Sequence, residues 1–212
     1  MAKGGNFERE VAKLLSLWWT DGKREDVFYR SQASGGRFTS RRKTGKDTAL
    51  QGGDITASDP IGEPLVKEWS IELKTGYGKK TDTGINRWDC LDFLDSRQKS
   101  PVLEKMWEQC SRDAELTNRE PILIFRRNGR SPCIMLNCTY IMEKLNPHFG
   151  RLEEDCIGIY TKRFNCTIIP FQNFMEWIPN IRSALGGNKC SKPSVSETSK
   201  STEKHVLHLT RV

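Results

Sequence analysis

The chain has 212 residues, with 34 lysines and arginines against 27 acidic residues and a formal net charge of +7. This length fits one domain with a tail and supports an apolar core without disulfide or metal cross-links. The start of the chain lacks the apolar stretch of a secretion signal, and no apolar run approaches the roughly 20 residues that span a bilayer. We therefore expect a cytoplasmic protein with no membrane partner.

Seven cysteines are spread along the chain, and none forms a CxxC pair. Their odd number and the lack of a secretion signal favour reduced thiols over disulfides. His205 and His208 form an HxxH pattern in a segment rich in serine and lysine. Because no cysteine partners lie nearby, we expect these histidines to be solvated and expect no zinc site.

The first half of the chain predicts one helix followed by three strands. Asn6 is a favourable N-cap residue, and the apolar residues that follow it recur at helical spacing. A helix is therefore predicted to begin after Asn6. Strands are predicted at residues 27–29, 54–57 and 65–74, and side chains alternate between the two faces of the longest one.

Two stretches next to these elements lack a regular pattern. Residues 36–51 hold five basic residues against one acidic residue, a net charge of +4, and we interpret them as a basic loop. Residues 75–100 are interpreted as an irregular insertion with a short helix at 88–94.

The second half predicts a helix, a hairpin and two further helices. Pro101 occupies a favoured first helical position, and an apolar stripe follows it. Residues 121–125 form a continuous apolar run, which is typical of a buried central strand. Asn128-Gly129 predicts the turn of a hairpin whose returning strand is 133–136. The remaining predictions are a short helix at 140–145, an edge strand at 167–169 and a helix at 171–178.

The composition changes near residue 185. Residues 185–212 contain no aromatic residue and hold five basic residues against two acidic ones, a net charge of +3. This composition predicts a disordered basic tail after a domain at residues 1–184. The order of one helix, three strands, a helix, two strands and a helix predicts an α/β fold, with a central mixed β-sheet flanked by helices.

Three side chains have the chemistry of a phosphodiester-hydrolysing site. The strand alternation puts Glu72 and Lys74 on one face, roughly 7 Å apart. If Asp54 lies on the neighbouring strand, two carboxylates and one ammonium group converge. Carboxylate oxygens suit Mg²⁺ or Mn²⁺, and a lysine beside them orients water or stabilises charge on a phosphate. These residue types alone fit other reactions too, since a Gly-Asp pair is often a turn and a Glu-x-Lys pair is often a solvated edge.

The motif residues resemble those of the PD-(D/E)XK nuclease superfamily. They stand here as Gly53-Asp54-Ile55 followed by Glu72-Leu73-Lys74, with Gly53 in the place of the proline. The resemblance implies a restriction-endonuclease-like core and a Mg²⁺-dependent endonuclease, in which Mn²⁺ substitutes for Mg²⁺. It also implies that Asp54, Glu72 and the Leu73 carbonyl bind the metal, and that Lys74 is catalytic.

Flanking segments resemble those of archaeal-type Holliday-junction resolvases, and this resemblance suggests a phage-encoded member. Glu8 lies near the start of the first helix, where the resolvases carry a glutamate that joins the metal site. Ser34 would contact the substrate near the scissile phosphate, and Gln109 would line the active site. The resemblance further implies a structure-selective enzyme of DNA recombination and repair, a homodimer by analogy, and action in the host-cell cytoplasm.

Basic residues beside the motif are the candidates for holding DNA, branched or duplex. Such residues on a loop contact phosphates without reading sequence, although a flexible solvated loop has the same composition. The candidates are Arg37, Arg41, Arg42, Lys43 and Lys46 in the basic loop, with Lys79 and Lys80 after the motif.

Two alternatives remain open. A restriction-type or repair-type nuclease with the same fold would act on linear, flap or nicked DNA. A protein that keeps the fold without catalysis would bind nucleic acid only, but Asp54, Glu72 and Lys74 are all present, which argues against it.

Overall fold

The structure is a computed structural model of the chain. It describes residues 3–31, 53–76, 80–81, 84–85, 101–152, 155–161, 163, 165–179, 181–185 and 206–210. Four helices and several shorter helical segments surround the strands. The helices are α1 (Lys3–Trp19), α2 (Glu63–Glu68), α3 (Val102–Glu115) and α4 (Phe171–Trp177). The shorter segments are Pro60–Gly62, Cys138–Tyr140, Asn146–Phe149 and Ile181–Ser183, with a π-helical turn at Ile141–Leu145.

Ten strands are described, and six of them form one mixed sheet. The strands are β1 (Phe28–Arg30), β2 (Ile55–Ala57), β3 (Trp69–Thr75), β4 (Lys80–Thr81), β5 (Gly84–Ile85), β6 (Glu120–Arg126), β7 (Cys133–Asn137), β8 (Cys156–Tyr160), β9 (Asn165–Pro170) and β10 (Val206–Thr210). The large sheet has the order β10-β8-β9-β7-β6-β3. β3 and β6 are parallel and are joined through α3, whereas β6, β7, β9 and β8 pair antiparallel in that order. This arrangement confirms the predicted α/β fold with a mixed sheet flanked by helices.

The sheet separates two apolar clusters. α1 buries Phe7, Val11 and Leu15, at intervals of four residues, against one face, and α4 packs on that same face. α3 covers the opposite face with Leu103 and Trp107, among other residues. Alternation along β3 sends Ile71 and Leu73 toward α1. The side chains of Glu72 and Lys74 therefore lie on the α3 face.

One predicted strand is shorter than expected, because residues 65–68 are helical. Pro64 lies in the first turn of α2, and Asp59 accepts a hydrogen bond from Ile61 N at 2.9 Å in the preceding turn. Leu65 and Val66 are consecutive, and both are buried. Two consecutive residues can share the inner side of a helix, whereas on a strand they point to opposite faces. β3 accordingly begins only at Trp69.

The far side of the sheet also differs from the expectation. Residues 167–169, predicted as an edge strand, belong to β9, which lies between β7 and β8 inside the sheet. β8 was not predicted. Residues 206–210, placed by their composition in a disordered tail, form β10 and pair parallel with β8. The remainder of that tail from residue 186 on, and the predicted helix at 88–94, lie outside the described residues.

No helix in the described part of the chain has both the length and the apolar character needed to cross a membrane.

Candidate active site

Asp54 is held against β3 by its main chain and by its carboxylate. Asp54 N donates to Ile71 O at 2.7 Å, and Leu73 N donates to Asp54 Oδ2 at 2.8 Å. The carboxylate thus replaces a main-chain acceptor next to the strand. Only 8% of Asp54 is exposed.

Gly53 makes this close approach feasible. Its φ is +92°, and a Cβ at this position would lie 2.8 Å from Ile71 O and 3.0 Å from Ile71 N. Proline is restricted to a φ near −65°, so it cannot adopt this conformation. The backbone therefore explains why glycine occupies the position that the motif gives to proline.

Glu72 and Lys74 lie side by side, as their spacing on a strand predicts. Lys74 Nζ contacts Glu72 Oε1 in an ion pair. Gln109 Nε2 on α3 donates to the same oxygen at 3.1 Å. Glu72 is 8% exposed, so its carboxylate sits in a largely dry environment with two donors on one oxygen.

The electrostatics of the site are dominated by its buried acids. Burial raises the pKa of Asp54 to about 7, and the nearby Glu72 and Glu8 carboxylates add to this effect. The Leu73 amide and the Lys74 ammonium oppose it but do not cancel it. When Asp54 is ionised, the three carboxylates exceed the two cations of the site, Lys74 and Arg30, by one charge, which is the condition under which a bound metal ion is stabilising.

Glu8 reaches the same region from α1. Its side chain is 15% exposed, and Oε2 lies 2.7 Å from Arg30 Nε at the end of β1. Oε2 is buried and accepts no well-aligned hydrogen bond within the described residues. Glu10 instead points to solvent and contacts Arg126. The structure thus brings Glu8, and not Glu10, within electrostatic range of Asp54.

Two residues of this region received no role in the sequence analysis. Arg30 follows a short apolar strand and gave no signal except its charge. Cys110 fell within the apolar stripe of a predicted helix, and in the structure its thiol is buried beneath Glu72. Burial and the Glu72 carboxylate raise the pKa of the thiol, and a hydrogen bond with the Glu72 backbone opposes this only in part. The Cys110 thiol is therefore uncharged and packs against Glu72.

The side chains of several predicted site residues lie outside the described part of the chain. Lys80 lies in β4, of which only the backbone is described. The residues outside the described part are Ser34, Arg37, Arg41, Arg42, Lys43, Lys46 and Lys79.

The donors present fit a cation bound by two carboxylates. The described residues contain no group of three or more His, Cys, Asp or Glu side chains arranged to hold a metal ion. Mg²⁺ commonly binds through one or two carboxylates and keeps water and substrate phosphate as its other ligands. The bonds described above engage Asp54 Oδ2 and Glu72 Oε1. The second oxygen of each carboxylate therefore suits such an ion.

Two buried carboxylates meet beside a lysine here, one on a strand of a mixed sheet flanked by helices and the other bonded to the backbone of that strand, and this is the arrangement of PD-(D/E)XK nucleases. The chain matches the model of the family described as "Phage putative PDDEXK endonuclease" over residues 1–182, and it belongs to that family. No curated protein and no solved structure matches the chain. The membership confirms the resemblance to the superfamily and to a phage-associated member, and it supports nuclease activity.

Proposed function

We propose that the protein is a divalent-metal-dependent DNA endonuclease that hydrolyses phosphodiester bonds. The observation that carries this proposal is that Asp54 is bonded to the backbone of β3, the strand that carries Glu72 and Lys74, with Gln109 bonded to Glu72. Family membership supports the nuclease class. The buried carboxylates of Asp54 and Glu72 support the proposed requirement for a divalent cation.

Asp54, Glu72 and the Leu73 carbonyl are the proposed ligands of Mg²⁺, with Mn²⁺ as a substitute. When bound, the ion supplies a Lewis acid for the scissile phosphate and lowers the pKa of water. The Leu73 amide holds the Asp54 carboxylate through Oδ2, so its other oxygen keeps a fixed direction. Glu8 supports the site from α1 through its negative charge.

Lys74 is the proposed catalytic cation. Its contact with Glu72 holds the ammonium group beside the carboxylates, where it orients the attacking water and stabilises negative charge on the phosphate. Gln109 orients Glu72 or the water, and Ser34 contacts the phosphate. A bound, preoriented ammonium group is more effective than one that must be ordered during the reaction.

The proposed substrate is branched DNA, of the Holliday-junction type, cut during recombination or repair by a homodimer in the cytoplasm of the host cell. The resemblance of residues 6–10 and 30–36 to resolvases supports this choice. Cleavage of linear, flap or nicked duplexes is the alternative within the same chemistry. A protein that binds these DNAs without cutting them is the third candidate.

Cleavage of labelled four-way junction, flap, nicked and linear DNA, with Mg²⁺ and with EDTA, tests the proposal. We expect Asp54→Asn, Glu72→Gln and Lys74→Met to lower the rate at least about a hundredfold. Glu63→Gln and Lys67→Met are matched controls, because these residues form an exposed ion pair on α2. Undiminished cleavage by the Asp54 and Lys74 variants would refute the proposal. Equal rates on all four DNAs would refute only the junction preference.

A further inference from the structure

The loop between β6 and β7 is strongly basic. It comprises residues 126–132, with the sequence Arg-Arg-Asn-Gly-Arg-Ser-Pro, so three arginines occur among seven residues without an acidic one. The strands on either side are paired up to Phe125 and Cys133. We name this segment the arginine hairpin.

The arginine hairpin leaves the sheet at the same end as Lys74. β3 and β6 are parallel neighbours, with Lys74 opposite Phe125 and Thr75 opposite Arg126. Strands are about 4.8 Å apart and rise about 3.3 Å per residue. The backbone of Arg127 therefore lies roughly 8 Å from that of Lys74.

The first arginine of the hairpin is engaged within the protein. The Arg126 guanidinium lies 4.4 Å from the centre of the Phe7 ring, and Nη1 donates to both carboxylate oxygens of Glu10 at 2.8 Å. These contacts neutralise Arg126 and fix the base of the hairpin to α1. The positive charge that a ligand can contact is therefore that of Arg127 and Arg130, which follow Arg126 in the hairpin.

Arg127 and Arg130 project from the turn. Both are exposed, and neither forms an ion pair within the described part of the chain. Arg130 N donates to Arg127 O at 3.1 Å, and Gly129 has a φ of +69°, so the two arginines are the first and last residues of a tight turn. Their Cα atoms are then within about 7 Å of each other. Neighbouring phosphates along one DNA strand are about the same distance apart, since the axial rise of about 3.4 Å per nucleotide combines with the winding of the backbone around the axis.

We propose that Arg127 and Arg130 bind two backbone phosphates of DNA beside the scissile position. The inference rests on the proposed function, because it identifies a second contact of the same substrate. Arginine forms bidentate hydrogen bonds with phosphate, and the pair stands on a hairpin whose base is held to α1 by Arg126. The contacts are to the backbone, so they position the DNA without selecting its sequence.

Equilibrium binding in EDTA, where no cleavage occurs, tests this inference. A labelled 30-base-pair duplex is titrated with wild-type protein and with Arg127→Ala/Arg130→Ala across a series of salt concentrations. Loss of two phosphate contacts decreases the magnitude of the negative slope of log K against log salt by about 1.8, because each contact contributes about 0.9. We expect this decrease, together with a loss of affinity of about tenfold or more at 0.1 M salt.

Two control variants separate a specific contact from a general charge effect. Lys23→Ala/Lys144→Ala also removes two exposed positive charges. These lysines follow Trp18 and Tyr140, which contact Trp69 at the start of β3, away from Lys74. Arg127→Lys/Arg130→Lys retains the charge and the hairpin. We expect both to keep the wild-type slope. An unchanged slope for the alanine hairpin variant, or an equal decrease in the Lys23/Lys144 variant, would overturn the inference.

The outcomes for the two proposals are distinguishable. If the protein cleaves DNA and the Arg127→Ala/Arg130→Ala variant keeps the wild-type salt slope, only the proposal of the hairpin contacts is contradicted. A protein that binds DNA with the expected loss of slope but never cleaves it contradicts only the nuclease proposal.

Discussion

Gly53 controls the position of Asp54 at the scale of a single residue. Its φ of +92° is unfavourable for any side chain, and an added Cβ would meet the Ile71 backbone at 2.8 Å. We expect Gly53→Ala to lower the free energy of unfolding by on the order of 1–3 kcal/mol and to lower the cleavage rate. Urea unfolding and the junction cleavage assay measure the two effects.

Gly150→Ala is the matched control for this change. Gly150 also has a positive φ, of +75°, but an added Cβ there would meet nothing within 4 Å. Its substitution therefore reports backbone strain alone and should leave the cleavage rate unchanged. Equal losses of cleavage in the two alanine variants would contradict the role given to the approach of Gly53 to β3.

We expect the proposed metal binding to depend on pH through Asp54. With the pKa of its carboxyl at about 7, the group is mostly protonated at pH 6 and mostly ionised at pH 8.5. A cation displaces that proton, so its affinity rises with pH and levels off above the pKa. Calorimetric titration with Mn²⁺, in two buffers of different ionisation enthalpy, measures the protons released.

We expect proton release to approach about one per ion at pH 6 and to be small at pH 8.5. Asp54→Asn should remove this difference and weaken binding, whereas Glu63→Gln should change neither. The same proton release at both values of pH in the wild type would contradict the prediction.

The residue types and spacing of the site were accessible from the sequence, but some of its contacts were not. Glu72 and Lys74 are two positions apart on a strand, and the position of Gln109 on the flank of an apolar stripe put it within reach of them. The pairing of Glu8 with Arg30 depends instead on how α1 lies across β1. Such a contact between elements has no local pattern in the sequence.

At the scale of elements, a short apolar alternation proved ambiguous. Residues 65–68 continue the alternation of β3, and four residues do not distinguish a strand from one turn of helix. Pro64 favours the helical start, and the chain turns into β3 at Trp69. The longer apolar run of β6 was predicted correctly, because both faces of a central strand are covered.

The junction of α2 and β3 is tied to the segment after β7. Trp69 Nε1 donates to the Tyr140 hydroxyl at 2.7 Å, and that hydroxyl donates to Glu68 Oε1 at 3.2 Å. We expect Tyr140→Phe to lower the free energy of unfolding by about 1–3 kcal/mol, because it leaves the buried indole N–H without an acceptor. Urea unfolding monitored by tryptophan fluorescence measures this change.

Tyr29→Phe is the comparison, since Tyr29 is 43% exposed. Removal of the Tyr29 hydroxyl should change the free energy of unfolding by less than about 0.5 kcal/mol. A Tyr140 variant as stable as the Tyr29 variant would show that the link between these elements contributes nothing.

At the scale of the whole molecule, the two faces of the sheet differ in the side chains that they carry. The α1 face is closed by a continuous apolar cluster, whereas the α3 face carries Glu72, Lys74 and Gln109 next to a smaller apolar cluster. The alternation of β3 predicted this division. The order of β7, β9, β8 and β10 could not be predicted in the same way, because pairing between distant strands leaves no periodic signal in either strand.

The position of β10 has a consequence for self-association. It covers the open edge of β8, a strand of five uncharged residues. An uncovered strand of this kind presents unpaired N–H and C=O groups and serves as a template for other chains. A chain ending at Leu185 should therefore scatter more light as its concentration rises than the full chain does, and Leu207→Pro in the full chain should act in the same direction. If both remain as monodisperse as the wild type, β10 does not protect this edge.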